Sequence, residues 1–419
     1  MTTMQKDMTR RLVEIGVRSA LTQCGGSPGR AVRNLVDLGL TFSRGQLQRQ
    51  LLTTIQTLLG NPDSAYYPLI RDVVANTDTD RLVRFGVNVG YESCSKGARR
   101  LRTVEEEQGF HMPWALGLTV DGSRPAAGLP RWQEVIRQAN ALGVHTFLLD
   151  ARGDAALAAA LPGCAEESAF VLFLSGSQVT PALVERLQSS PNVLPAVRLD
   201  GGAPAACARL RKARFPYAVW DCYRSGEGIL DGRWLESLLP QHPILAVLRA
   251  EEGCPDDVRQ AVTRCLRDVR KEQRYPVVAM ELRQDLLWID EMISQGQAAA
   301  WFDAEGEMHT ADGPRRAGPL TPAAKCKQKQ QVRFLPLKGG NRTCFVYRLI
   351  VRPVFYNGSG LPSGGGGTAP SCESFSITEP DTPTMPRLSR PQNCAAGMGS
   401  RCLSQRRMAQ TSASRQKSV

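Results

Sequence analysis

The sequence predicts an α/β protein, a partial or closed TIM-like (β/α) barrel between an all-helical N-terminal region and a basic, disordered C-terminal tail. Three observations predict it. From Trp114 onward, short apolar runs alternate with helical patterns, which calls for a parallel sheet with helices outside it. Before Trp114 the apolar residues recur at helical spacing only. After His309 the composition turns to Gly, Ser, Pro, Arg and Lys. The domains are therefore expected at 1–110, 111–310 and 311–419.

In the first region, Ser27-Pro28 reads as an N-cap with proline at the first helical position, followed by Val32, Leu35, Val36 and Leu38. Leu47, Leu51, Leu52, Ile55, Leu58 and Leu59 mark a second helix. Asn61-Pro62-Asp63 breaks the chain before a helical run from Tyr66 to Val74, and no catalytic spacing appears in this cap.

Strands are expected at Ala115–Val120, His145–Asp150, Ala169–Ser175, Val193–Leu199, Tyr217–Cys222, Ile244–Leu248, Val277–Leu282 and Ala298–Phe302. The helices between them include Arg131–Leu142, Pro181–Gln188, Ala203–Ala213 and Pro255–Gln273. The first four strands begin 30, 24 and 24 residues apart, one βαβ unit each. So many consecutive units favour a barrel over its rival, the doubly wound sheet. Asp303-Ala-Glu-Gly306 reads as the turn of a closing hairpin.

The net charge of +12 belongs to the tail. Residues 311–419 hold 17 Lys and Arg against 4 Asp and Glu, leaving 35 against 36 elsewhere. The folded part therefore offers no electrostatic case for nucleic acid, and only weak contact through the tail is expected. No apolar run is long enough to span a membrane, and the first eight residues lack a signal peptide's apolar core. A cytoplasmic protein without a membrane partner is the expectation. A shift of reading frame is a second explanation of the tail's abrupt composition.

The pieces around the expected barrel carry a family likeness. Asn61-Pro-Asp-Ser-Ala-Tyr-Tyr-Pro-Leu-Ile70 leads to His111-Met-Pro-Trp-Ala-Leu116 at the first strand. Gly143-Val-His-Thr-Phe-Leu-Leu149, Cys254-Pro-Asp-Asp-Val-Arg259 and Trp301-Phe-Asp-Ala-Glu-Gly-Glu-Met308 follow in order. Over roughly residues 50–310 this order resembles a group of bacterial radical-SAM proteins. The resemblance implies a barrel of the radical-SAM type whose first loop carries CxxxCxxC, three thiolates holding a [4Fe–4S] cluster with one iron open to SAM. Here that loop reads Val120-Asp-Gly-Ser-Arg-Pro-Ala-Ala-Gly-Leu-Pro130, without cysteine. The family's Gly-Gly-Glu turn, which holds the amino group of SAM, is replaced by Asp150-Ala-Arg-Gly-Asp154. Of the twelve cysteines, only Cys222 and Cys254 fall near carboxyl ends of expected strands, too few to hold the cluster.

What remains at the strand ends is a set of carboxylates, Asp121, Asp150, Asp200, Asp221 and Glu281, and three arginines, Arg198, Arg224 and Arg249. Carboxylates at a barrel mouth can bind a divalent metal or move protons. Asp beside Gly, as at Asp121 and Asp200, is also ordinary turn and cap chemistry. The arginines can hold a phosphate or carboxylate, or neutralise the neighbouring Asp residues. His145 starts a strand at the rim away from the mouth, and His111, His242 and His309 have no ligand-spaced partners.

The sequence is thus read as a radical-SAM-like barrel without its cluster. Its mouth is expected to take a small molecule, a peptide or a protein partner without catalysis, and no cofactor is expected. The alternatives are an enzyme using a divalent metal on the carboxylates, and an atypical radical-SAM enzyme using SAM.

Overall fold

A computed structural model describes residues 3–24, 28–42, 46–108, 111–123, 125–294, 298–310 and 313–314. Ser27 and all of the expected tail beyond Pro314 lie outside the described residues.

The chain opens with helices α1 (Thr3–Gln23), α2 (Pro28–Phe42), α3 (Gln46–Leu58), α4 (Tyr66–Asn76) and α5 (Thr79–Val87). Asp78 caps α5, its side chain accepting from Arg81 N at 3.1 Å. A ten-residue π-helix, Asn88–Gly97, and α6 (Ala98–Gln108) lead to the sheet. No helix among the described residues is long and apolar enough to cross a membrane.

Strands and helices then alternate. They are β1 (Ala115–Asp121), α7 (Pro125–Leu142), β2 (Thr146–Arg152), α8 (Ala156–Ala160), β3 (Ala169–Leu174), α9 (Pro181–Leu187), β4 (Val193–Arg198) and α10 (Ala203–Lys212). There follow β5 (Ala218–Tyr223), α11 (Arg233–Leu238), β6 (Leu245–Ala250), α12 (Asp256–Glu272), β7 (Val278–Glu281) and α13 (Leu282–Ser294). The last strands are β8 (Ala300–Phe302), β9 (Met308–Thr310) and β10 (Gly313–Pro314). The expected strand Val277–Leu282 is shorter than the sequence suggests, because Glu281 turns the chain and Leu282 begins α13.

The sheet order is β10-β9-β8-β1-β2-β3-β4-β5-β6-β7, with β8 parallel to β1 and the hairpin strands antiparallel. Consecutive strands β1 to β7 sit side by side, so the order never reverses and the doubly wound alternative is excluded. β7 and β8 do not pair, so the closed barrel is corrected to a partial one. Burial shows the curl. Phe147, Leu149, Phe170, Leu172, Val197 and Val219 pack with helix residues such as Ile136, Leu183, Leu210 and Leu266. Their alternates Leu148, Phe173, Ala196, Ala218, Trp220 and Val247 form a second, smaller cluster. The two-residue period thus sorts each strand into an outer face under helices and an inner face against itself. Helix α13 joins both clusters, through Leu282 and Leu286 on the inner side and Leu286 and Ile289 on the outer. It fills the gap that an unpaired β7 and β8 would otherwise leave.

The entry to β1 is tied to α13 by a buried carboxylate. Asp290 accepts from Trp114 N at 3.0 Å and from Ala298 N at 2.7 Å and is fully buried. Burial, with Glu105 nearby, raises its pKa from 3.8 to about 7 despite those two hydrogen bonds. A carboxyl whose folded pKa is raised stabilises the fold while protonated, and that contribution fades as pH rises from the unfolded value through the folded one. Relative to Asp290→Asn, the protein should therefore lose a few kcal/mol between about pH 4 and pH 7, since each tenfold change in proton affinity is worth about 1.4 kcal/mol. Urea unfolding of both proteins across that range checks it; parallel pH profiles would refute it.

Candidate functional site

The N-terminal helices determine which end of the barrel is open. On α5, the Arg81 guanidinium stacks 3.8 Å from the Phe215 ring centroid, just before β5. It donates to Ser190 O at 3.2 Å and Gln188 Oε1 at 2.7 Å, in the approach to β4. Phe85, one helical turn on, packs against the inner cluster. From the π-helix, Asn88 Nδ2 donates to Glu166 O and Ser168 O, each at 2.8 Å, ahead of β3. Thr146 at the start of β2 donates to Ser93 Oγ at 2.9 Å. These contacts close the amino ends of β2 to β5, and a site can form only at the carboxyl ends.

At those ends the inner face is lined by aromatic rings around one cation. Arg249 of β6 places its guanidinium 5.4 Å from the Phe173 ring, 5.1 Å from Trp220 and 5.3 Å from Trp301. Its Nη2 lies 3.7 Å from Asp150 Oδ2 on β2. Strand β6 is far from both β2 and β8 in the sheet order, so these contacts span the hollow of the curled sheet. Arg198 of β4 stacks on the same Trp220 ring at 5.5 Å. Trp220 Nε1 donates to Leu174 O at 3.1 Å and Trp301 Nε1 to Thr119 Oγ1 at 2.8 Å, which fixes both rings. Trp301 lies flat on Gly117, where a Cβ would come within 2.0 Å of its ring. Among the described residues neither Arg198 nor Arg249 donates a side-chain hydrogen bond to protein.

The expected carboxylates do not meet in a ring. Asp121 closes an Asx turn by accepting from Ser123 N at 2.9 Å. Asp200 clasps two loops, accepting from Gly176 N at 3.0 Å and Gly202 N at 2.9 Å. Glu281 is buried, accepting from Gln284 N at 2.6 Å and from the Tyr223 hydroxyl at 3.2 Å. Burial outweighs those bonds and raises its pKa. Asp221 accepts from Cys222 N at 2.8 Å, and burial raises its pKa against the pull of that bond and of Arg198. Only Asp150 faces Arg249. Arg224 points away from the hollow, its Nη1 donating to Glu252 O at 3.5 Å in the next loop.

The thiols are equally dispersed. Cys222 is half-buried on β5, its pKa raised by burial against the nearby charges of Arg249 and Arg198. Cys254 is buried, its Sγ 3.7 Å from Arg224 O. Cys94 lies in the π-helix at the closed end, Cys207 in α10 and Cys265 in α12. Gly122, directly after β1, has no room for a side chain, because a Cβ would come within 2.1 Å of Asp154 O. These residues do not fit the three-thiolate cluster that the family resemblance implies. Among the described residues no three His, Cys, Asp or Glu side chains form a set that could hold a metal ion.

Sequence reasoning missed the aromatic walls and one polar pair. His309 Nε2 lies 2.8 Å from Asp303 Oδ2 across the β8–β9 turn. His309 is in register with Trp301, so the pair shares that residue's face of the sheet. Burial opposes ionisation of Asp303, but hydrogen bonds with His309 and Glu307 N hold its pKa below the usual value. The usable signal was the hairpin register, which puts 301, 303 and 309 on one face.

Two other concavities lie elsewhere. A small cavity beside α4 is lined by Asp72, Arg211 and Tyr217, and the Asp72–Arg211 pair is already bonded at 2.6 Å and 2.9 Å. An open groove between α9 and α10 is lined by small apolar residues such as Val184, Ala205 and Ala208 together with Glu185, Arg209 and Lys212.

No protein-family model and no curated protein matches the chain. Among solved structures it is similar to Streptococcus suis SuiB bound to S-adenosylmethionine, at 9% sequence identity and a TM-score of 0.38, over 51% of this chain and 62% of that one. A second similar structure is Streptococcus suis SuiB bound to precursor peptide SuiA, at 10% identity and 0.38, over 51% and 63%. The chain thus covers less than two thirds of the length of those structures. Values this low fix neither chemistry nor ligand for the present protein.

Proposed function

We propose that this protein is a non-catalytic binder, a barrel related to the radical-SAM type that lacks cluster ligands and takes a small molecule or the end of a peptide in its carboxyl-end mouth. The observation that carries this reading is the state of Arg249. It is boxed by three aromatic rings, a quarter exposed, and has an ion pair at 3.7 Å but no protein hydrogen bond. Convergent polar groups held on a rigid apolar floor are what a binding pocket needs. Of the carboxylates offered for catalysis, Asp121, Asp200 and Glu281 serve turns and caps instead, and Asp150 pairs with Arg249.

The test has two arms on the full chain. In the first, thermal unfolding is followed against a panel of neutral and charged small molecules and short peptides. A true ligand at about 100 times its Kd should add about 2.7 kcal/mol of stability. The second is anaerobic reconstitution with iron and sulfide. A brown protein whose colour survives desalting and is lost in Cys222→Ser would overturn the reading, as would chemical conversion of any ligand detected by mass spectrometry. A panel in which nothing raises the midpoint would sink it equally.

A further inference from the structure

We infer that the mouth is an oxyanion clamp in which Arg198 and Arg249 together hold a carboxylate or phosphate group at the Trp220 ring. The inference rests on the binding reading above and names the chemistry of its ligand. A guanidinium carries five N–H donors and no acceptor, and a half-buried one without hydrogen bonds is costly unless a ligand supplies them. Ring faces offset part of that cost through cation–π attraction, but they leave the in-plane N–H edges unused. Asp150, at 3.7 Å, is beyond hydrogen-bond distance and supplies charge alone.

The second cation makes the assignment specific. Arg198 and Arg249 lie over the same Trp220 ring, at 5.5 Å and 5.1 Å. Both also act electrostatically on the Cys222 thiol, whose residue is in direct register with Arg249. Both guanidinium groups bring unused N–H edges to one ring, and an oxyanion reached by both accepts from both forks. The floor is preorganised, because Trp220 is fixed through Leu174 O and packs edge-on against Phe173. Arg224 is outside the clamp, since it bonds to the loop after β6. Asp150 is the internal competitor. It holds Arg249 in the hollow when no ligand is present, and its charge opposes an arriving anion.

The full-length protein should be titrated with inorganic phosphate and, separately, with succinate, at constant ionic strength maintained with chloride. Calorimetry gives the affinities, and the arginine Nε–H resonances of ¹⁵N-labelled protein report the site directly. The clamp predicts saturable binding of at least one anion, with large shifts confined to two arginine side chains. Arg249→Met and Arg198→Met should each weaken it by about tenfold or more, and Arg224→Met should leave it unchanged. Asp150→Asn should tighten it several-fold. Arg198 is exposed, so its variant remains informative if Arg249→Met fails to fold. Whether phosphate or succinate binds more tightly tells which source of oxyanion the site prefers. Anion binding insensitive to both arginine variants, or no saturable binding of either anion, overturns the clamp. A neutral ligand that raises the unfolding midpoint and is equally insensitive would sink the clamp while sparing the wider binding reading.

Discussion

Glu92→Gln is expected to destabilise the protein by about 3–5 kcal/mol, the usual cost of removing one partner from a buried ion pair. Glu92 is fully buried in the π-helix. Its Oε1 accepts from Arg10 Nη1 at 2.6 Å, and the Lys96 ammonium lies 2.7 Å from Oε2. The Lys96 approach is off the line of a hydrogen bond, so that cation acts through charge. Arg10 also donates to Asn88 Oδ1 at 3.2 Å, while Asn88 holds the chain ahead of β3. The amide keeps the shape and removes the charge, leaving Arg10 and Lys96 only their outer partners Glu14 and Glu167, each at 3.1 Å. His145 stands beside them, with a pKa that burial keeps below its usual value. Urea unfolding at neutral pH measures the cost, and amide exchange at the starts of β2 and β3 shows whether the seal has loosened. The double variant Arg10→Met with Glu92→Met should recover much of the loss, because matched apolar replacements of buried pairs are often neutral or better. A cost below about 1 kcal/mol for Glu92→Gln would mean that this network breaks even and does not hold the seal.

Much of the scaffold was legible because its signal is local. β1, β3 and β4 coincide with their expected runs to within a residue, since an apolar run closed by a turn needs no tertiary knowledge. Leu282–Ser294 was missed because its apolar residues follow a strand without a break, and Glu281 ends that strand only by capping the next helix. The π-helix Asn88–Gly97 contains two glycines and two serines, and no separate element is expected there within the helical region. Its order comes from Arg10, Thr146 and the carbonyls of residues 166 and 168, all distant in sequence. The site divides in the same way. Asp200 and Asp121 were readable as turn residues from the adjacent glycine, and Arg198 and Arg249 were placed by strand position alone. The box of Phe173, Trp220 and Trp301 was invisible, because it exists only once the sheet has curled.

Gly117→Ala and Trp301→Ala should each destabilise the protein, and their costs should overlap. At Gly117 the added methyl would stand 2.0 Å from Cε3 and 2.2 Å from Cδ2 of the Trp301 ring. The ring cannot tilt away in place, because Nε1 is bonded to Thr119 and the opposite side faces the Arg249 guanidinium. It must leave its seat, an overpacking cost of about 1–3 kcal/mol. Trp301→Ala removes the ring outright, and its half-buried position keeps the loss towards the lower end of the about 3–5 kcal/mol typical for Trp→Ala. Once the ring is gone the three closest atoms to the methyl at 117 go with it, so the double variant should cost no more than Trp301→Ala alone. That gives a coupling of about 1 kcal/mol or more, well above the roughly 0.5 kcal/mol within which independent sites add. The same two changes take one wall from the Arg249 box, so the guanidinium gains solvent and the Arg249 Nε–H exchanges faster with water. Denaturant unfolding of the four proteins measures the coupling, and NMR exchange rates report the cation. Strictly additive losses, or a Gly117→Ala protein with unchanged stability, would mean that Trp301 does not seat on β1 and that the wall of the mouth lies elsewhere.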